Sequence, residues 1–83
     1  MMFHKLLTVK PMDQLCLLVE FVGGERKMYD VTPLLEKWPP FRDLTAIRGL
    51  WEQVKVDAGG YGVSWNDAID LSCNELYENG VAV

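Results

Sequence analysis

Few residues in this 83-residue chain carry chemically reactive groups, and they are scattered. His4 is the one imidazole, and Cys16 and Cys73 are the two thiols. Metal sites need paired ligands, as in Cys-x-x-Cys, and no such spacing occurs here. No metal and no cofactor is therefore expected. A nucleophilic serine or cysteine needs a base beside it, and only His4 could serve. Its place near the start of the chain suits a solvated or edge-strand residue better. Cys16 lies in the apolar run Leu15-Cys16-Leu17-Leu18-Val19 and reads as a small buried hydrophobe. Cys73 falls at a helix start, a place that can activate a thiol. Its charged neighbours Asp70 and Glu75 are acidic, which opposes activation.

Paired carboxylates are the best enzymatic suggestion. Asp67 and Asp70 flank an Ala-Ile step, and Asp57 approaches them if the intervening residues fold as a hairpin. Acid–base work would require burial or like-charge crowding to hold one of them protonated. The structural alternative is that Asp67 and Asp70 accept backbone N–H bonds in a tight loop. Gly59, Gly60 and Gly62 do not read as a phosphate cradle. Such a loop leads into a helix, whereas Tyr61 and Val63 continue as a strand. The basic residues Lys5, Lys10, Arg26, Lys27, Arg42 and Arg48 are dispersed and form no stripe, so direct nucleic-acid binding is not expected.

Aromatic residues are the more telling resource. Trp38, Trp51 and Trp65 with Phe21, Phe41 and Tyr61 are a large apolar payload for so short a chain. Most must be core, because a domain of this size needs nearly every large side chain inside. Trp38-Pro39-Pro40-Phe41-Arg42 is the exception, since it reads as a loop. An exposed Trp and Phe beside rigid prolines would form an anchor of the kind that dominates interfaces. The alternative is that this loop folds back over the sheet.

The elements that position these residues follow from composition and pattern. With 49% apolar residues the chain is globular, and its length allows one domain, residues 1–83. The net charge is −4, which disfavours phosphate partners. No apolar run approaches the roughly 18 residues that cross a bilayer, and no signal-like segment opens the chain. No membrane association is expected, and the cytoplasm is the default compartment.

Lys5–Lys10 reads as a first strand, closed by a turn at Pro11-Met12-Asp13-Gln14. Leu15–Val22 is a central strand with Leu15, Leu17, Val19 and Phe21 on one face. Gly23-Gly24 turns it into a returning strand over Glu25–Tyr29. A short helix follows, capped by Thr32 with Pro33 at its first position, and Trp38-Pro39-Pro40 ends it. Ile47, Leu50, Trp51 and Val54 are spaced as one face of an amphipathic helix over Thr45–Gln53. Val54–Asp57 and Tyr61–Trp65 form a second hairpin. Ser72 and Glu75 make a capping box, with Leu71 and Leu76 as its hydrophobic staple. The last helix therefore spans about residues 73–79, with Gly80 as a left-handed stop. Val81-Ala82-Val83 either pairs with a sheet edge or frays.

The order of these signals is similar to a known pattern. Tyr29-Asp30-Val31-Thr32-Pro33-Leu34-Leu35 is followed by Trp51-Glu52-Gln53-Val54-Lys55-Val56-Asp57 and a Gly-containing turn. Val63-Ser64-Trp65-Asn66-Asp67 comes next, then Ile69-Asp70-Leu71-Ser72 and Leu76-Tyr77. The chain thereby resembles, over nearly its whole length, the small bacterial family known as domain of unknown function 2442. It departs from the family pattern after Trp65, where Asn66 and Ala68 stand in place of a Pro and a Gly. The resemblance implies a compact α+β domain without an established activity and carries over no catalytic residue. Some relatives add a helix-turn-helix segment, which is not expected in a chain ending at Val83. Others are encoded beside a small protein in toxin–antitoxin-like pairs.

The expected fold is α+β, a small, mostly antiparallel sheet of two hairpins with two or three short helices on one face. The expected core is Leu17, Val19, Phe21, Leu35, Trp51, Val54, Val56, Val63, Trp65, Leu76 and Tyr77. The expected function is a non-catalytic protein-interaction module, a regulatory or antitoxin-like partner of another small protein. Its contact would be the loop Trp38, Pro39, Pro40, Phe41 and Arg42 plus an unpaired sheet edge, with surrounding acidic residues favouring a basic partner. The alternative is a sensory or dimerisation domain related to transcription regulators, acting as a homodimer without its DNA-binding part. An enzyme built on Asp57, Asp67 and Asp70 ranks third.

Overall fold

The computed structural model describes residues 4–83. The fold is α+β, and its strands divide into two antiparallel sheets. The first contains β1 (Leu6–Met12), β2 (Cys16–Phe21), β3 (Arg26–Asp30) and β7 (Val81–Ala82), in the order β1-β2-β3-β7. The second contains β4 (Lys55–Val56), β5 (Gly62–Asn66) and β6 (Ile69–Ser72), in sequence order. Among the described residues three short α-helices join them: α1 (Leu34–Lys37), α2 (Asp43–Ala46) and α3 (Cys73–Asn79).

Strand β2 is central because its alternation supplies a fully apolar face. Leu17, Val19 and Phe21 are buried to 1% exposure or less. Across the ladder Leu17 faces Tyr29 and Phe21 faces Leu6, and both of those partners are buried. The core is one cluster drawn from both sheets and all three helices. Every residue expected in the core belongs to it or packs against it. Leu6, Tyr29, Val31, Phe41, Ile69 and Leu71 are buried additions.

The first turn lies later than expected. Pro11 stays in β1 opposite Leu17, tolerated because β1 is the outermost strand and needs no N–H there. The turn is made at Asp13–Leu15, where Gln14 and Leu15 take φ of 60° and 58°. Left-handed backbone is unfavourable for residues with a Cβ. It is held here by the Cys16 N–H on Asp13 O and by the Leu15 carbonyl, which accepts from Val31 N–H at 2.9 Å. Cys16 is consequently half-buried rather than buried, while Cys73 is the enclosed thiol at 2% exposure.

Helix α1 begins at Leu34 with Pro33 at the cap and no side-chain cap bond. The Asp30 carboxylate shapes this start instead, accepting from Thr32 N–H at 2.9 Å. Trp38 ends α1 in an extended conformation, as a residue before proline must. The expected helix over 45–53 does not form. Helix α2 stops at Ala46, Gly49 takes φ +84°, and only a 3-10 turn follows at Trp51–Gln53. A right-handed helix cannot pass through that glycine conformation. Leu50 is still buried, but Ile47 is left half in solvent.

The sequence pattern does not signal β6, whose residues 69–72 alternate Ile69 and Leu71 inward with Asp70 and Ser72 outward. Helix α3 spans the expected residues, and Ser72 Oγ accepts from Glu75 N–H at 3.1 Å. Gly80 is not left-handed; its φ is −76°. A Cβ there would fall 2.5 Å from Leu76 O and 3.0 Å from Lys27, so glycine is required by close approach. The tail can then pair with β3, Val81 opposite Met28. The sheets are joined at β1: Trp51 Nε1–H donates to Met12 O at 3.2 Å, and Gly60 packs on the Leu6 main chain.

Candidate functional site

Trp38 and Phe41, treated together in the sequence, part company in the fold. The 3-10 turn at Pro39–Arg42 carries them to opposite environments. Phe41 is 4% exposed and packs edge-on against Trp65, with ring centroids 6.0 Å apart. It is therefore a core residue and not the contact residue expected from the sequence. Trp38 is 43% exposed, tilted over Phe41 at 5.7 Å. Pro39 and Pro40 are also exposed. Arg42 lies outward, but its Nε–H donates to Leu35 O at 3.0 Å, which fastens the loop to α1.

The other indoles have internal tasks. Trp65 Nε1–H donates to Trp51 O at 3.1 Å, as Trp51 does to Met12 O. The Trp38 Nε1–H finds no acceptor among the described residues. Lys37 sets its ammonium 5.7 Å from the Trp38 ring centroid, so that ring already attracts one cation.

The loop is not isolated. Trp38, Pro39, Pro40 and Phe41 line a hollow of about 350 Å³ together with Ala68 and Asp70. Two residue groups that the sequence kept apart, the aromatic loop and the acidic loop, thus meet at Asp70. Its carboxylate is exposed and has no hydrogen-bonding or ionic partner among the described residues.

The remaining acids go elsewhere. Asp57 is half-buried and accepts a 2.6 Å hydrogen bond from Ser64 Oγ. Ser64 pairs with Asp70 across β5 and β6, so Asp57 does approach that strand. Asp67 sits exposed between β5 and β6. The turn itself is organised by Asn66, whose Oδ1 accepts from Ala68 N–H at 2.9 Å and Ile69 N–H at 3.0 Å. The backbone-capping task expected of Asp67 and Asp70 belongs to this asparagine, a common turn device. Among the described residues no group of His, Cys, Asp and Glu is placed to hold a metal ion.

A second hollow, about 520 Å³, lies between β3, α1 and α3. At its edge Tyr29 Oη donates to Glu75 Oε2 at 2.7 Å. Burial, followed by the Glu75 bond and the Glu75 and Asp30 charges, pushes the Tyr29 hydroxyl well above its ordinary range. In the sequence Tyr29 reads simply as the last residue of the returning strand. Its partner is 46 positions away, and nothing local signals the pairing.

Among the described residues no helix is long and apolar enough to cross a membrane. Neither the curated proteins nor the solved structures yield a match to this chain. A family model does match, described as "Protein of unknown function (DUF2442)", and it covers residues 6–82. With its hairpins, its capped last helix and its Trp65–Asp70 turn all inside that span, the chain belongs to the DUF2442 family.

Proposed function

We propose that this chain is a non-catalytic protein-interaction module, a regulatory or antitoxin-like partner of another small bacterial protein. Docking takes place at the Trp38 corner. The observation that carries this reading is the exposed indole of Trp38, held by buried Phe41 and two prolines at the mouth of the hollow it shares with Asp70. Rigid aromatic anchors contribute most at interfaces because little side-chain freedom is lost on binding. The acids support the same reading. Asp57 is engaged by Ser64 and Asp67 stands apart at a turn, so the three carboxylates do not form one enclosed acid–base site.

The test is affinity capture from the native host, comparing the wild-type chain with Trp38→Ala and with a control variant, Ile47→Ala. A defined protein retained by wild type and control but lost with Trp38→Ala supports docking at this corner. Equal capture by all three chains overturns it.

A second reading, a dimerisation domain, is favoured by the outer strand β7. It is only two residues long and leaves Val81 69% exposed. A symmetric dimer dissociated by Val81→Lys would support it, and a monomer at high concentration would end it.

A further inference from the structure

Resting on the docking role proposed for the Trp38 corner, we infer that its hollow receives an arginine side chain of the partner, stacked on Trp38 and hydrogen-bonded to Asp70. Asp70 is an exposed carboxylate lining the hollow, and no residue among those described pairs with it. A carboxylate accepts hydrogen bonds only, so its complement is a donor, and a cationic donor gains most. Trp38 lines the hollow as well, and an indole is the side chain that attracts cations best. Lys37 already exploits that attraction from within the chain, 5.7 Å from the ring centroid.

The cation is a guanidinium rather than an ammonium for geometric reasons. A guanidinium is planar, is weakly hydrated and stacks on aromatic rings while its N–H edge remains free for a carboxylate. The hollow, about 350 Å³ and lined also by Pro39 and Pro40, has room for a guanidinium. Among the described residues no cation lines that hollow. Arg42, the nearest arginine in sequence, commits its Nε–H to Leu35 O. The net charge of −4 acts in the same direction, drawing basic partners during encounter.

The test uses the full chain and two blocked peptides, identical in Gly and Ala except that one carries arginine and the other citrulline. Citrulline keeps the shape and removes the charge. Trp38 indole and Asp70 amide resonances are followed by NMR. The arginine peptide is expected to shift both, and the citrulline peptide to bind about fivefold more weakly or worse. Asp70→Asn should remove most of that preference while leaving the citrulline peptide unchanged. Trp38→Ala should weaken both peptides.

Equal binding of the two peptides at Trp38 would overturn the arginine assignment while leaving the docking surface intact. Shifts confined to Asp30 and Glu75, or none at all, would also overturn it. In those cases the capture experiment with Trp38→Ala decides separately whether the corner docks a protein.

Discussion

The Tyr29 hydroxyl donates a 2.7 Å hydrogen bond to the Glu75 carboxylate, joining β3 to α3 across 46 residues. Glu75 is also the capping-box residue of α3. Its backbone N–H goes to Ser72 as the sequence pattern requires. Its side chain goes to Tyr29 instead of returning to the cap.

That pairing sets a pH dependence. The folded Tyr29 is held protonated by burial and by Glu75, above its unfolded value of about 10. In that situation the folded state binds more protons once pH passes the unfolded value. Stability from this group is complete below about pH 10 and declines as pH rises beyond it. Tyr29→Phe is expected to cost about 0.5–1.5 kcal/mol at neutral pH through the lost hydrogen bond to Glu75. It should also flatten the alkaline decline relative to wild type. Urea unfolding from neutral pH to about pH 11 checks both effects, and parallel alkaline curves for the two proteins would refute the assignment.

The cap of α3 is a separate contribution. Ser72→Ala removes the oxygen that accepts Glu75 N–H and is expected to cost about 0.5–2 kcal/mol. The loss should show in the melting temperature without any change in the alkaline behaviour assigned to Tyr29.

Gln14 offers the opposite sign. It is exposed, its φ is 60°, and its side chain contributes little to the core. Glycine at this position relieves the Cβ clash, so Gln14→Gly is expected to stabilise the fold by up to about 1 kcal/mol. For a domain of this size that raises the melting temperature by about 4–8 °C per kcal/mol. A lowered melting temperature would mean that the turn is not held in the left-handed region in solution. Leu15 shares the conformation but packs against the core, so its replacement would lose burial as well.

Trp38 and Phe41 should separate cleanly in stability. Phe41→Ala empties a core position and is expected to cost about 3–5 kcal/mol. Trp38→Ala removes a side chain already 43% exposed and should cost about 1 kcal/mol or less. Thermal unfolding of the two variants measures this directly. A large loss with Trp38→Ala would assign that residue to the fold instead of to a partner.

What the sequence alone determined is local. Leu17, Val19 and Phe21 alternate strictly, so any sheet containing them buries that face. Ser72, Glu75 and the residues up to Asn79 define α3 because a cap bond spans only three positions. Pro39 and Pro40 end α1 by steric exclusion in the preceding residue. The family resemblance, carried by the order of such signals, is of the same kind and holds over residues 6–82.

Tertiary structure decided the rest. The spacing of Ile47, Leu50 and Trp51 fits a helix, but Gly49 turns left-handed so that Leu50 and Trp51 can reach the core and Met12. Four residues at 69–72 are too short a run to declare a strand until β5 supplies the other side of the ladder. Which of Trp38 and Phe41 is enclosed depends on Trp65, and where the Glu75 carboxylate goes depends on Tyr29. Backbone preference acts within a few residues of its source. Packing and hydrogen-bond satisfaction act between segments that only the folded chain brings together, and the hollow joining Trp38 to Asp70 is of that second kind.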